Sequence, residues 1–106
     1  VIVVETAYPF TNEGVDEMPN LLGPDTLIGE YPATPAGQLA YLVDLTQIVV
    51  DNGGVGVVYW EPAWVSTGCK TRWGTGSSWE NAAWFDLKDH EALPAFEFLG
   101  REYRPR

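Results

Sequence analysis

Two apolar runs, each ending on a carboxylate, set the pattern of the chain: Val1-Ile2-Val3-Val4-Glu5 and Val55-Gly56-Val57-Val58-Tyr59-Trp60-Glu61. β-Branched runs without polar alternation suit strands buried on both faces, as parallel strands in α/β proteins are. Between the two runs the pattern changes period. Leu39, Leu42, Val43, Thr46, Val49 and Val50 recur every three or four positions and predict one amphipathic helix. Its ends are marked: Thr34 suits the N-cap, Pro35 the first helical position, and Asn52-Gly53-Gly54 the left-handed stop. The result is a βαβ unit, whose crossover is right-handed by rule.

Long loops follow both strands. The first runs from Pro9 to Ala33 and the second from Ala63 to Ala83, and loops of such length in compact domains are usually functional or mobile. The return from helix to strand at Asn52 to Gly54 is tight. Elaborate loops after the strands and short turns before them are the habit of α/β barrels, whose active sites lie at the carboxyl ends of the strands. A brief extended or 3₁₀ segment is predicted over Ala82 to Leu87. A last helix is predicted from Ala92 or Leu93 through Phe96 and Leu99 to Tyr103. Two βα units make a quarter of a barrel. Residues 1–106 are accordingly expected to be the carboxyl-terminal part of a (β/α)8 catalytic domain, and the strand edges of the lone piece are expected to promote self-association.

Charge narrows the partners. The net charge is −9, from 15 acids and 6 bases, which opposes nucleic-acid binding because phosphates require a basic patch. No apolar run approaches the roughly 20 residues that span a bilayer. Cys69 is the sole cysteine, so neither an internal disulfide nor a cysteine-based zinc site is available within these residues.

Three strings carry a family resemblance: Val3-Val4-Glu5-Thr6-Ala7-Tyr8-Pro9, Thr34-Pro35-Ala36-Gly37-Gln38, and Gly56-Val57-Val58-Tyr59-Trp60-Glu61-Pro62-Ala63-Trp64. With Asn81-Ala82-Ala83-Trp84-Phe85-Asp86 and Ala92-Leu93-Pro94, they resemble in order the carboxyl-terminal portion of the arabinogalactan endo-β-1,4-galactanases, glycoside hydrolase family 53. The resemblance implies a retaining hydrolase that cuts β-1,4-galactan side chains of pectin. It implies an enzyme that is secreted or periplasmic, monomeric when intact, and in need of no cofactor for catalysis. Glu5 matches the family's nucleophile on the seventh strand. The acid/base glutamate of the fourth strand has no match here, so the isolated chain is expected to hydrolyse nothing. Retaining chemistry itself asks for two carboxyl groups roughly 5–5.5 Å apart, one ionised and one protonated.

Other residues divide by chemistry. Trp60, at the second strand end, is expected to stack on a sugar ring, with Trp64 and Tyr8 as further substrate contacts. Trp73 and Trp79 are weaker candidates, and Trp84 and Phe85 read as packing residues. Glu61 follows Trp60 on an alternating strand, so the two are expected to point apart, with Glu61 structural at the barrel rim. Glu5 is expected to be held by hydrogen bonds from neighbouring strand ends. His90 reads as a solvated turn residue and Cys69 as an isolated loop thiol. Some bacterial members of the family tie the two loops with calcium. Asp16 and Asn20, with Ser77 and Glu80, are the matching oxygen donors, although Met18 interrupts their alternation and a solvated acidic loop is the competing reading. Two rivals remain at this level: a retaining barrel glycosidase for another β-linked polysaccharide, and a β-sandwich carbohydrate-binding module, which the capped helix opposes.

Overall fold

A computed structural model describes all residues, Val1–Arg106. Strand β1 (Ile2–Thr6) and strand β2 (Gly56–Tyr59) pair in parallel, joined by helix α1 (Pro35–Asp51). The helix starts as its sequence requires. Thr34 is extended and its Oγ1 accepts from Gly37 N at 3.0 Å, with Pro35 next. Gly37 is obligatory there, because a Cβ would lie 1.9 Å from the Pro32 carbonyl oxygen. No helix is long and apolar enough to cross a membrane.

The buried line along α1 is Gln38, Leu42, Thr46 and Val49. Leu42 meets Tyr59, Trp84, Ala95 and Phe98 in the core, with Leu39, Val43, Val57 and Phe85 at its margin. The core thus lies between α1, β2 and the chain after residue 80. Trp84 is a packing residue as expected, edge-on to Phe96 and Phe98. On the other side Ile2, Val4 and Val58 stay exposed, and so does Val1. The expectation of strands covered on both faces is therefore met on one face only: α1 covers one side of the pair, and nothing in these residues covers the other.

Two elements differ from expectation. The last helix is a 3₁₀ helix, Pro94–Gly100, rather than an α-helix reaching Tyr103. Its buried residues are Ala95 and Phe98, three apart, which matches the three-residue turn of a 3₁₀ helix and leaves Phe96 and Leu99 outward. The second loop contains an unforeseen hairpin, β3 (Lys70–Thr71) against β4 (Gly74–Thr75). A 3₁₀ turn forms at Glu80–Ala82, ending where the predicted segment begins, and within that segment Phe85 makes an extended bridge to Ala92.

At the centre, Gln38 is fully buried. Its Nε2 lies 3.0–3.3 Å from the carbonyl oxygens of Tyr8, Ala82 and Ala83 and from the Tyr59 hydroxyl. The Tyr59 hydroxyl accepts from Tyr8 N at 2.9 Å and lies 2.7 Å from Ala82 O. Burial pushes that hydroxyl up to about 12 from an ordinary 10. A phenol whose pKa is raised by folding contributes stability that is complete below pH 10 and disappears as pH climbs through 12. Two units correspond to about 2–3 kcal/mol. Alkaline titration followed by circular dichroism is expected to show destabilisation between pH 10 and 12, and Tyr59→Phe is expected to flatten that window.

Candidate active site

The carboxyl ends of β1 and β2 lie side by side, with Trp60 N donating to Thr6 O at 2.8 Å. Register along the pair slips just before this point. Ile2 faces Gly56 and Val3 faces Val57, but Thr6 faces Tyr59, so Val4 and Glu5 together oppose Val58 alone. The extra residue forms a bulge in β1, and Glu5 takes it in the left-handed region at φ 57°. A bulge at a strand end re-aims the side chain it carries. Left-handed backbone on a residue other than glycine is strain of a kind that gathers at functional sites. Glu5 is exposed and accepts no hydrogen bond within the chain, contrary to the expected support from neighbouring strand ends, because β1 has a paired strand on one edge only.

Glu61 is the second strand-end acid with left-handed backbone, at φ 50°. The alternation rule set it away from Trp60; instead both residues line one pocket of about 420 Å³. The left-handed turn after Trp60 breaks the strand period and brings the next side chain to the same side. Trp64, Trp73 and Trp79 complete the aromatic lining, while Met18 and Leu21 from the first loop close it. Trp60 meets Trp79 at 6.2 Å and Trp64 meets Trp73 at 6.0 Å between ring centroids, both edge to face. The Arg72 guanidinium lies 5.2 Å from the centre of the Trp73 ring. An apolar aromatic wall beside the Glu61 carboxylate suits a ring with one hydrophobic face and a hydroxylated edge. Met18 and Leu21 were not among the expected pocket residues because nothing local distinguishes them from loop filler.

Tyr8 is a correction. The sequence reading put it among substrate contacts, but it is only 3% exposed. Its ring stacks on Tyr41 with centroids 4.3 Å apart, and its hydroxyl donates to Tyr31 O at 2.6 Å and accepts from Ile28 N at 2.9 Å. It anchors the first loop. His90 and Cys69 are exposed, as expected of a turn residue and a free thiol.

The four calcium candidates do come together, but as hydrogen-bond partners. Asp16 accepts from Met18 N and Ser77 N, each at 2.7 Å. Burial opposes ionisation of Asp16, yet the Ser66 side chain and the Ser77 and Met18 N–H groups prevail and lower its pKa. Glu80 is fully buried, and its Oε1 accepts from Val15 N at 2.8 Å. Burial raises its pKa, against the Val15 hydrogen bond and with help from the Asp16 charge. Ser77 Oγ donates to Trp64 O, and Asn20 Nδ2 donates to Glu13 O. No three of the His, Cys, Asp or Glu side chains group as a metal site. Two carboxylates, one amide and one hydroxyl, the last turned to Trp64 O, fall short of the six to eight oxygens of a calcium shell, so these side chains alone do not fit the ion. The acids of the first loop itself are solvated as the competing reading has it, with Glu13, Glu17, Asp25 and Glu30 exposed and Asp16 half-buried, whereas Glu80 of the second loop is enclosed.

Comparisons with known proteins bear on this geometry. The family description Glycosyl hydrolase family 53 matches residues 1–99. The chain is 54% identical over 105 residues to an arabinogalactan endo-beta-1,4-galactanase of Cellvibrio japonicus, covering 98% of this chain and 28% of that protein. It is 37% identical over 101 residues to an endo-beta-1,4-galactanase of Bacillus subtilis, covering 84% and 24%. The chain thus spans about a quarter of the length of these curated relatives. Among solved structures, the GH53 catalytic domain of Ignisphaera aggregans superposes with a TM-score of 0.84 at 33% identity, over 97% of this chain and 30% of that one. The parallel β1–α1–β2 unit, with loops and acids gathered at its carboxyl edge, is a portion of a (β/α)8 barrel, and the chain belongs to glycosyl hydrolase family 53.

Proposed function

We propose that this chain forms one wall of the active site of an endo-β-1,4-galactanase, with Glu5 as the nucleophile of a retaining double displacement. The reading rests on one observation above all: a bulged, left-handed glutamate at the end of β1, beside a strand end that carries Trp60 and an aromatic pocket. Ionised Glu5 attacks the anomeric carbon and forms a glycosyl ester. A protonated acid contributed by another strand of the barrel donates to the departing oxygen and then activates water. Trp60 and Trp64 hold the galactosyl rings, and Glu61 accepts hydrogen bonds from sugar hydroxyls at the pocket edge. Two carboxyl groups suffice for this chemistry without a cofactor. The substrate is a neutral cell-wall polymer, so the enzyme works outside the cytoplasm, as a monomer.

The test is an assay of a complete barrel carrying this sequence on galactan, mannan, xylan and cellulose. Galactan is expected to be cut fastest, to internal fragments with retained anomeric configuration by proton NMR. Preference for another polymer, or inverted products, would refute the proposal. Trp60→Ala is expected to lower kcat/KM on galactan on the order of 10–100-fold, the loss of one well-packed aromatic contact.

A further inference from the structure

The two long loops leave different strands, yet their hydrogen bonds converge on residues 77–81. Ser77 N donates to Asp16 Oδ2, Leu21 N to Ser78 O, Val15 N to Glu80 Oε1 and Phe10 N to Asn81 O, at 2.7–3.0 Å. Asn81 Nδ2 reaches back to Thr11 O and Leu22 O. The exchange is reciprocal: the first loop gives a carboxylate to an N–H of the second, and the second gives one in return. We infer that Asp16 and Glu80 form a metal-free clasp between the loops and act as positioning residues, setting Trp79 against Trp60 and thereby the shape of the aromatic pocket.

Three observations carry this. Trp79 is immediately followed by Glu80, and its own N–H is held by Ser77 Oγ at 3.2 Å, so it sits within the clasp and lines the pocket. Gly76 leaves the space the clasp occupies: a Cβ there would lie 2.5 Å from Asp16 Oδ2 and 2.9 Å from Met18 Cγ, and its φ of +98° suits glycine. Finally, the oxygens that could serve a cation are already committed. Both Asp16 oxygens receive backbone N–H groups, Ser77 Oγ has given its proton to Trp64 O, and Gly14 and Met18 offer no oxygen side chain. Around the clasp, Asn20 Oδ1, Glu80 Oε2 and Asn81 Oδ1 are buried without a partner. Burial raises the pKa of Glu80.

The experiment is thermal unfolding with tryptophan fluorescence, in EDTA and in millimolar calcium chloride. The midpoint is expected to be the same in both. A rise with calcium, or a calcium site in titration calorimetry, would overturn the inference. Glu80→Gln keeps the Oε1 acceptor and is expected to match wild type. Glu80→Ala strands one backbone N–H and Asp16→Ala two, and both are expected to lower the midpoint and red-shift the emission. In the complete barrel Glu80→Ala is expected to raise KM for galactan severalfold with kcat within about twofold, because Trp79 acts on binding rather than on the reacting bond. Should Glu80→Ala fail to fold, Asp16→Asn, which keeps one acceptor, serves for the same KM and kcat comparison. A Glu80→Gln protein as impaired as Glu80→Ala, or a fall in kcat at constant KM, would refute the clasp. The KM arm rests on the galactanase reading; the calcium and unfolding arms do not, so failure of one is distinguishable from failure of the other.

Discussion

Glu5→Gln, placed in a complete barrel, is expected to lose galactan hydrolysis on the order of 10⁴-fold or more, almost wholly in kcat. Glutamine matches glutamate in size and keeps the backbone free to hold its bulge, so the strand end is preserved while the attacking oxygen is replaced by an amide. Trp60 and Trp64 are untouched, hence the small effect on KM. A companion variant separates nucleophile from bystander. Glu5→Ala leaves room for a small anion beside the anomeric carbon, and azide is expected to restore cleavage of an activated aryl β-galactoside and yield the α-galactosyl azide. A Glu5→Gln enzyme that retained more than about a hundredth of wild-type kcat would exclude a covalent role, since a lost nucleophile costs far more.

Gln38→Leu is expected to be strongly destabilising, by about 3–5 kcal/mol in urea unfolding. Leucine fits the volume, so packing is not the issue. The loss is of donors. Gln38 Nε2 serves Tyr8 O, Ala82 O and Ala83 O, which bring together the first loop and the second. The Tyr59 hydroxyl lies within reach of Tyr8 O at 3.0 Å and Ala82 O at 2.7 Å, but it has one proton to give. After the change, Ala83 O and one of the other two carbonyls are buried without a donor, at about 1–3 kcal/mol each. Gln38→Glu is expected to be worse, because it sets a buried charge against carbonyl oxygens. A cost under about 1 kcal/mol for Gln38→Leu would show that these carbonyls find water, and that Gln38 is not the hub of the loops.

Legibility in the sequence followed the range of the interactions. The helix was readable at both ends because caps are local: Thr34, Pro35 and Gly53 act within one turn of their own positions. The parallel pair was readable from its β-branched runs. The placing of Glu5 and Trp60 at neighbouring strand ends was readable from the two apolar runs. What escaped depended on distant partners or on backbone torsion. Gln38 looks like a surface residue until the carbonyls of residues 82 and 83 are brought to it. Tyr8 looks like a sugar platform until Tyr31 and Tyr41, on the first loop and the helix, enclose it. Glu61 joins Trp60 at the pocket because of a left-handed torsion that no neighbouring residue announces. The hairpin at residues 70–75 turns through Arg72 and Trp73, without the Asn-Gly or Asp-Gly signature of a tight turn.

The one-sided covering of the β1–β2 pair has a consequence for engineering. The packing between α1, Trp84 and Phe98 lies wholly within these residues, whereas Ile2, Val4 and Val58 form an exposed seam. A transplant of these residues into a related scaffold would therefore succeed or fail on a few aliphatic shapes along that seam. The catalytic wall could then be exchanged as a cassette, with the helical exterior travelling along unchanged.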